Sequence, residues 1–229
     1  MKAVGLIQSF GRKRARGLST TQKNNLDSLA EKFGISLADT NLDPHSIFDN
    51  RFSSIFVEIG FGGGEHLIQN SILHQNIGFI GCEPFENGVA NTYKNISNNN
   101  LLNVRIFKGD ARLLLNQFKN DTIKRFYVLF PDPWPKKKHH KRRLLSVDFL
   151  KLLQKKATSD GELVIATDSE DYMLNILENL KIAKICDDIT DLSQLSNKPK
   201  WFLETRYEQK ALQQGKQCYY IKLQLNKIA

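Results

Sequence analysis

The chain has 229 residues, 41% hydrophobic and 25% charged, with 33 Lys and Arg against 24 Asp and Glu and a formal net charge of +9. Length and composition predict one sizeable α/β domain with short additions and exclude collagen-like, disordered and membrane-spanning classes. The positive balance favours a polyanionic partner, because Lys and Arg that neutralise phosphates release condensed counterions, though a solubilising surface carries the same sign.

The opening apolar stretch, Met1 to Ile7, is too short for a signal peptide and runs into Arg12-Lys13-Arg14, so a cytoplasmic location is expected. Cys82, Cys186 and Cys218 lie far apart and form no CxxC pair, which suits reduced thiols and not a disulfide framework.

Residues 1–18 are basic, glycine-punctuated and without periodicity, which predicts a flexible arm. Leu26, Leu29, Ala30 and Phe33 then recur at helical spacing behind Thr20 and Thr21 as caps, so 19–52 is expected to hold a helix and a linker broken at Asp43-Pro44. From 53 to 229 short β-rich runs alternate with longer amphipathic ones, the pattern of βα units and a mostly parallel sheet with helices on both faces.

Seven strands are predicted, at Ile55–Ile59, Gly78–Cys82, Val104–Lys108, Phe126–Phe130, Leu163–Thr167, Lys184–Ile189 and Cys218–Leu225. Helices are predicted at Glu65–Leu73, Asn87–Ser97, Ala111–Phe118, Asp148–Lys156, Tyr172–Leu180 and Tyr207–Gln214. In the last strand Tyr219, Ile221, Leu223 and Leu225 alternate with mostly polar partners, as in a half-buried strand.

Glu58-Ile59-Gly60-Phe61-Gly62-Gly63-Gly64 joins the first strand to the first helix of this domain, where glycines permit a tight turn and close approach to a ligand. The spacing is GxGxG, and Glu65 stands where a dinucleotide fingerprint has its third glycine. A carboxylate at the helix start suits a pyrophosphate poorly, whereas S-adenosylmethionine has no phosphate and carries a sulfonium. A glycine turn without a ligand is the plain alternative.

Glu83 follows the second strand and is placed to accept hydrogen bonds from both ribose hydroxyls. Asp110-Ala111 follows the third, with Asp110 as an acceptor for an adenine amino group, as a helix N-cap, or as both, and with Ala111 leaving room for the ring. Acidic residues at three successive strand ends point to one ligand crevice.

The fourth strand runs into Phe130-Pro131-Asp132-Pro133-Trp134-Pro135, where three prolines hold a carboxylate beside an aromatic face. That pairing suits a purine, stacked on Trp134 and donating its imino and amino hydrogens to Asp132. Lys136 to Arg143 places six Lys or Arg and two His in eight residues beside it, a candidate phosphate surface. His139 and His140 lack a third ligand at sensible spacing, so no metal is expected.

As an ordered set these motifs resemble the bacterial tRNA (guanine-N7-)-methyltransferase family. The resemblance rests on Glu58 to Gly62, on Glu83, on Gly109-Asp110-Ala111, and most specifically on Phe130 to Arg143. Ala166 to Tyr172, and Thr205-Arg206-Tyr207-Glu208 with Lys210 and Gly215 beyond, agree with it, so it spans about residues 55–225. Arg12 to Gln22 is loosely similar to the family's basic arm.

The resemblance implies a Rossmann-like class I methyltransferase fold with a seven-stranded, mostly parallel sheet whose last strand is antiparallel. It implies S-adenosylmethionine contacts at Glu58, Gly60, Gly62, Glu83, Asp110, Ala111 and Asp132, with Asp132 also catalytic. It further implies substrate contacts at Lys136, Asp168, Thr205, Arg206, Tyr207 and Glu208, and the variable loop of tRNA as target. The segment between Asp171 and Thr205 matches no part of the family pattern, and the chain is compatible with a monomer or a homodimer with no membrane partner.

Guanine N7 is an in-plane lone pair that attacks an electrophilic methyl without first losing a proton, so a pocket with a carboxylate and no evident base suits it. The nearest rival is methylation of an exocyclic amino group, whose enzymes carry an Asp-Pro-Pro-aromatic loop similar to Asp132-Pro133-Trp134. A nicotinamide dehydrogenase would share the glycine turn but not Glu65, and a purely RNA-binding protein would not need Glu83 and Asp110 at strand ends.

Overall fold

The structure is a computed structural model, and it describes residues 17–37, 41–185, 195–200 and 202–226. Its strands are β1 (Ile55–Ile59), β2 (Gly78–Cys82), β3 (Val104–Phe107), β4 (Ile123–Leu129), β5 (Ala157–Thr167) and β6 (Tyr219–Gln224). Its α-helices are α1 (Thr20–Phe33), α2 (Glu65–Leu73), α3 (Glu86–Asn98), α4 (Ala111–Gln117), α5 (Val147–Lys156), α6 (Glu170–Ala183) and α7 (Arg206–Gln213).

One sheet runs in the order β3-β2-β1-β4-β5-β6, parallel throughout except for β6, which pairs antiparallel with β5. The chain moves outward from β1 to β3 and then returns to place β4 on the other side of β1. That reversal opens a crevice at the carboxyl ends of the strands, where open α/β sheets take their ligands.

The alternation of strand side chains divides the apolar residues between two cores. Ile55, Val57 and Ile59 pack with Leu114, Leu115, Phe149, Leu153, Tyr172 and Ile176, under α4, α5 and α6. Phe56 and Phe79 pack with Leu26, Phe33, Leu67, Val89 and Ile96, under α1, α2 and α3. Helices therefore cover both faces, and every residue of β1 and β2 is buried.

The structure departs from the sequence-based expectations in several places: β4 starts at Ile123 and ends at Leu129 where Phe126–Phe130 is expected, and β5 starts at Ala157 and not at Leu163. Ser19, and not Thr20 or Thr21, caps α1: its hydroxyl accepts the Gln22 amide while the Gln22 side chain accepts the Ser19 amide.

The described residues hold six strands where seven are expected. The predicted strand at Lys184–Ile189 begins on Lys184, which ends α6 with a left-handed φ of 54°, and residues 186–189 lie outside those described. Ile185 nevertheless accepts the Asn226 amide at 2.8 Å, just beyond β6.

In β6 Tyr220 is buried as well as Tyr219 and Ile221, because its hydroxyl reaches Glu208 on the opposite face. The basic arm lies outside the described residues up to position 16, as does Cys186, while Cys82 and Cys218 are buried thiols.

Candidate active site

The turn after β1 takes a left-handed backbone at Gly60, Gly62 and Gly64, with φ of 76°, 55° and 84°, so the GxGxG spacing supplies glycine wherever the chain has to bend that way. At Gly62 space is a second constraint, since a Cβ there would stand 3.0 Å from the Tyr207 ring. The turn is held from β2: the Gly60 amide donates to the Cys82 carbonyl at 2.8 Å, and the Gly62 amide donates to Glu83 Oε2 at 2.8 Å.

Glu83 is 7% exposed, and its second oxygen accepts the Phe85 amide at 2.9 Å. Burial raises its pKa above the ordinary value; the two amide donors oppose that, and Asp132 and Glu58 add to it. The neighbouring Cys82 thiol is raised by burial, with Asp110 and Glu83 contributing, and so is no nucleophile.

Asp110 caps α4 by accepting the Arg112 amide at 3.0 Å. Its two oxygens also take the Arg112 guanidinium, Nε at 2.9 Å and Nη2 at 2.6 Å, a fork absent from the sequence-based reading.

Beyond β4 the chain turns through two non-glycine residues of left-handed φ, Phe130 at 49° and Trp134 at 46°, on either side of Pro131-Asp132-Pro133. Such conformations persist only where the surroundings impose them, and they cluster at functional sites. Asp132 stands at the solvent-open rim, with its carboxyl raised by partial desolvation. Arg142 lies over the Trp134 ring at 5.0 Å from its centroid, and His139 meets the ring edge-on at 5.8 Å.

These segments converge on one cavity of about 360 Å³, within the range of small-ligand sites. Gly60, Gly62, Glu83, Asp110, Ala111 and Asp132 line it, together with Trp134, Arg112, Arg142 and Tyr207. Of the predicted cofactor residues Glu58 alone is missing from this lining. Its carboxylate, 4% exposed, is hydrogen-bonded at 2.7 Å to Nδ1 of His66 on α2, and it lines a small second cavity with Glu65, Thr205, Arg206 and Tyr207.

The predicted substrate residues are not gathered as one set. Tyr207 is half exposed and lies across the glycine turn, where burial raises its pKa and Glu83, Glu65 and Asp132 add to the shift. Thr205 caps α7 in a reciprocal box with Glu208. Glu208 is fully buried, bonded to the Tyr220 hydroxyl at 2.5 Å and to Lys198 at 3.1 Å, so its side chain works inside the protein. Asp168 pairs with Lys216 at 2.5 Å, and Lys136, like Arg206, is exposed.

The basic run forms a 3-10 helix over Lys137–Arg142. Lys136, Lys137, Lys138 and Lys141 are exposed, whereas Arg143 is 6% exposed and turned inward, which removes it from the phosphate surface expected of the whole run. A charge run reveals its sign but not which member faces the core, so neither the inward turn of Arg143 nor the Arg142 contact with Trp134 was legible beforehand.

A family model described as "Putative methyltransferase" matches residues 53–221. A tRNA (guanine-N(7)-)-methyltransferase of Buchnera aphidicola is 35% identical over 222 residues, 96% of this chain and 92% of its own length. Proteins of the same name from Wolbachia pipientis (35%, covering 88% and 87%) and Hyphomonas neptunium (40%, covering 72% and 75%) match in the same way. The chain belongs to the tRNA (guanine-N7-)-methyltransferase family.

Two solved structures show the Rossmann-like methyltransferase fold that this family member shares. An antibiotic-related methyltransferase aligns with a TM-score of 0.59 at 18% identity, covering 84% of this chain and 97% of its own. The 16S rRNA methyltransferase KamB aligns with a TM-score of 0.57 at 10% identity, covering 86% and 98%. Among the described residues of this tRNA (guanine-N7-)-methyltransferase family member, no group of His, Cys, Asp and Glu could hold a metal ion, and no helix is long and apolar enough to cross a membrane.

Proposed function

We propose that the chain transfers a methyl group from S-adenosylmethionine to N7 of a guanine in tRNA. The observation that carries the reading is the convergence of the glycine turn, the amide-pinned Glu83 and the Asp132 loop on one cavity, in a chain 35% identical to a named enzyme of this activity over nearly its whole length.

The cavity residues fit the methyl donor. The carboxylates Glu83, Asp110 and Asp132 line it and suit a cation, while Glu65 in the first turn of α2 opposes a phosphate there. Glu83 would hold the ribose hydroxyls, Gly60 and Gly62 would let the backbone approach, and Asp110 with Ala111 would border the adenine. Glu58 would act from behind the turn, through its bond to His66 on α2. When bound, S-adenosylmethionine supplies an electrophilic methyl group.

Because N7 offers its lone pair without losing a proton, no side chain has to act as base. The chain's work is orientation, which lowers barriers by up to roughly 7–11 kcal/mol when reacting atoms are held in line. Asp132 would accept from the guanine imino and amino hydrogens and face the cationic product ring.

Lys136 and its exposed neighbours would position RNA, as would the basic arm of residues 1–18 ahead of a methyltransferase domain over 53–229. Tyr207 and Arg206 would meet the substrate at the mouth, while Asp168, Thr205 and Glu208 support that edge through their internal bonds. The target would be the variable loop and the compartment the cytoplasm. Incubation with labelled S-adenosylmethionine and bulk tRNA, followed by nucleoside analysis, tests the reading: label in N7-methylguanosine supports it, and label in any other nucleoside, or none, overturns it.

A further inference from the structure

Arg143 differs from every other basic residue of the run it closes. The side chain is 3% exposed, its Nε donates to the Pro133 carbonyl at 2.9 Å, and its Nη2 donates to Asp171 in the first turn of α6. The guanidinium also stacks on Tyr172, 4.9 Å from the ring centroid, and the Tyr172 hydroxyl in turn accepts the Leu145 amide at 3.1 Å. A single planar fork thus ties the loop after β4 to α6 from beneath the surface.

What that fork touches is the segment in least need of freedom. Pro133 lies between Asp132, at the cavity rim, and Trp134, whose left-handed φ, like that of Phe130, has to be imposed from outside. Backbone bonds elsewhere anchor the entry to this loop, where the Phe130 amide donates to the Ala166 carbonyl at 2.7 Å. Arg143 anchors its far side.

We infer that Arg143 is a positioning residue of the methyl-transfer site: its guanidinium fixes the Pro133 carbonyl against α6 and so sets where Asp132 and Trp134 stand. The inference rests on the methyltransferase reading above. It separates Arg143 from the phosphate-contacting role of its exposed neighbours, since a buried cation whose donors point into the protein does not reach RNA. Lysine keeps the charge but cannot form the fork or the stack, so Arg143→Lys separates the two roles.

The experiment compares wild type, Arg143→Lys and Asp171→Ala by tRNA methylation at saturating and limiting tRNA, and by tRNA binding over a salt series. Asp171→Ala serves as the second variant: the Asp171 side chain is 67% exposed, so its loss opens no cavity, and because it leaves the buried Arg143 without its carboxylate the melting temperature of each variant is measured alongside. Clamping predicts that kcat falls by as much as about 10²-fold in Arg143→Lys and less in Asp171→Ala, with tRNA affinity and salt slope at wild-type values. The double variant should be no slower than Arg143→Lys alone.

A readout independent of turnover uses a Trp201→Phe background, which leaves Trp134 as the single tryptophan of the two in the chain. Acrylamide quenching of Trp134 should rise in Arg143→Lys. A wild-type kcat in both variants overturns the inference, as does a fall in tRNA affinity with a shallower salt slope at unchanged kcat. If wild type itself methylates no tRNA, the functional reading fails, and the Trp134 quenching alone then decides whether the clamp exists.

Discussion

Glu83 closes the glycine turn across the sheet edge: one carboxylate oxygen takes the Gly62 amide at 2.8 Å and the other takes the Phe85 amide at 2.9 Å. A carboxylate pinned at both ends keeps its remaining lone pairs in a fixed direction toward the cavity, the arrangement a pair of ribose hydroxyls requires. Glu83→Ala should therefore weaken S-adenosylmethionine by about 1.5–3 kcal/mol, roughly ten- to hundredfold in Kd, with isothermal calorimetry as the measurement. Equal affinity for variant and wild type would remove Glu83 from the ribose.

The same carboxylate predicts a pH dependence. Burial raises the Glu83 pKa in the folded chain, so in the ligand-free protein its contribution to stability is present below the ordinary carboxylate value and lost as pH rises through the raised one. Cofactor binding has the opposite slope, because the hydroxyls need the ionised acceptor: affinity should fall as pH drops through the raised pKa, above the window of an ordinary glutamate. Asp132 shifts in the same direction but is solvent-open, so it contributes less. Calorimetric Kd values over a pH series should show this decline in wild type and a flatter profile in Glu83→Gln; parallel profiles would refute the assignment.

The extent of what was legible in the sequence follows from the range of the interactions. The strands Ile55–Ile59 and Gly78–Cys82 were readable to the residue, since a buried parallel strand is a short apolar run bounded by turn residues. The line of Gly60, Glu83, Asp110 and Asp132 was readable as well, because each sits at a strand end that topology alone brings to the crevice.

Interactions between distant segments were not readable. Nothing near Thr205 indicates that Tyr207 lies over Gly62, or that Glu208 is consumed by Tyr220 and Lys198. Likewise the residues around Glu58 do not reveal that a histidine eight positions on takes its carboxylate. Local pattern sets which residues are polar, and only packing sets which of them remain available.

The exposed Lys136, Lys137, Lys138 and Lys141 form a basic face beside the cavity. Replacing all four by Gln should weaken tRNA binding and flatten its log-log salt dependence, by about 0.7–0.9 in slope for each phosphate no longer neutralised. Cofactor affinity should not change. Filter binding of tRNA between low and moderate salt measures this, and an unchanged slope would make the face a solvated surface.

The final prediction concerns the product and the residue beside it. Asp132 stands at the cavity rim next to Trp134, and N7 attack needs alignment but no base, so Asp132→Asn should keep most S-adenosylmethionine affinity while losing turnover by roughly 10²–10³-fold, the scale for removing one preorganised electrostatic partner. The wild-type product should carry a fixed positive charge on the purine, which labilises the glycosidic bond. Reduction followed by amine treatment should then cut the modified tRNA chain at that nucleotide, and sequencing of the fragments should place the cut at one guanine of the variable loop. Methylation of an exocyclic amine leaves the bond intact. Labelled tRNA that resists cleavage would therefore exclude N7 and favour the exocyclic rival suggested by Asp132-Pro133-Trp134, while the Glu83 and Lys136 results would stand, because neither depends on which guanine atom is alkylated.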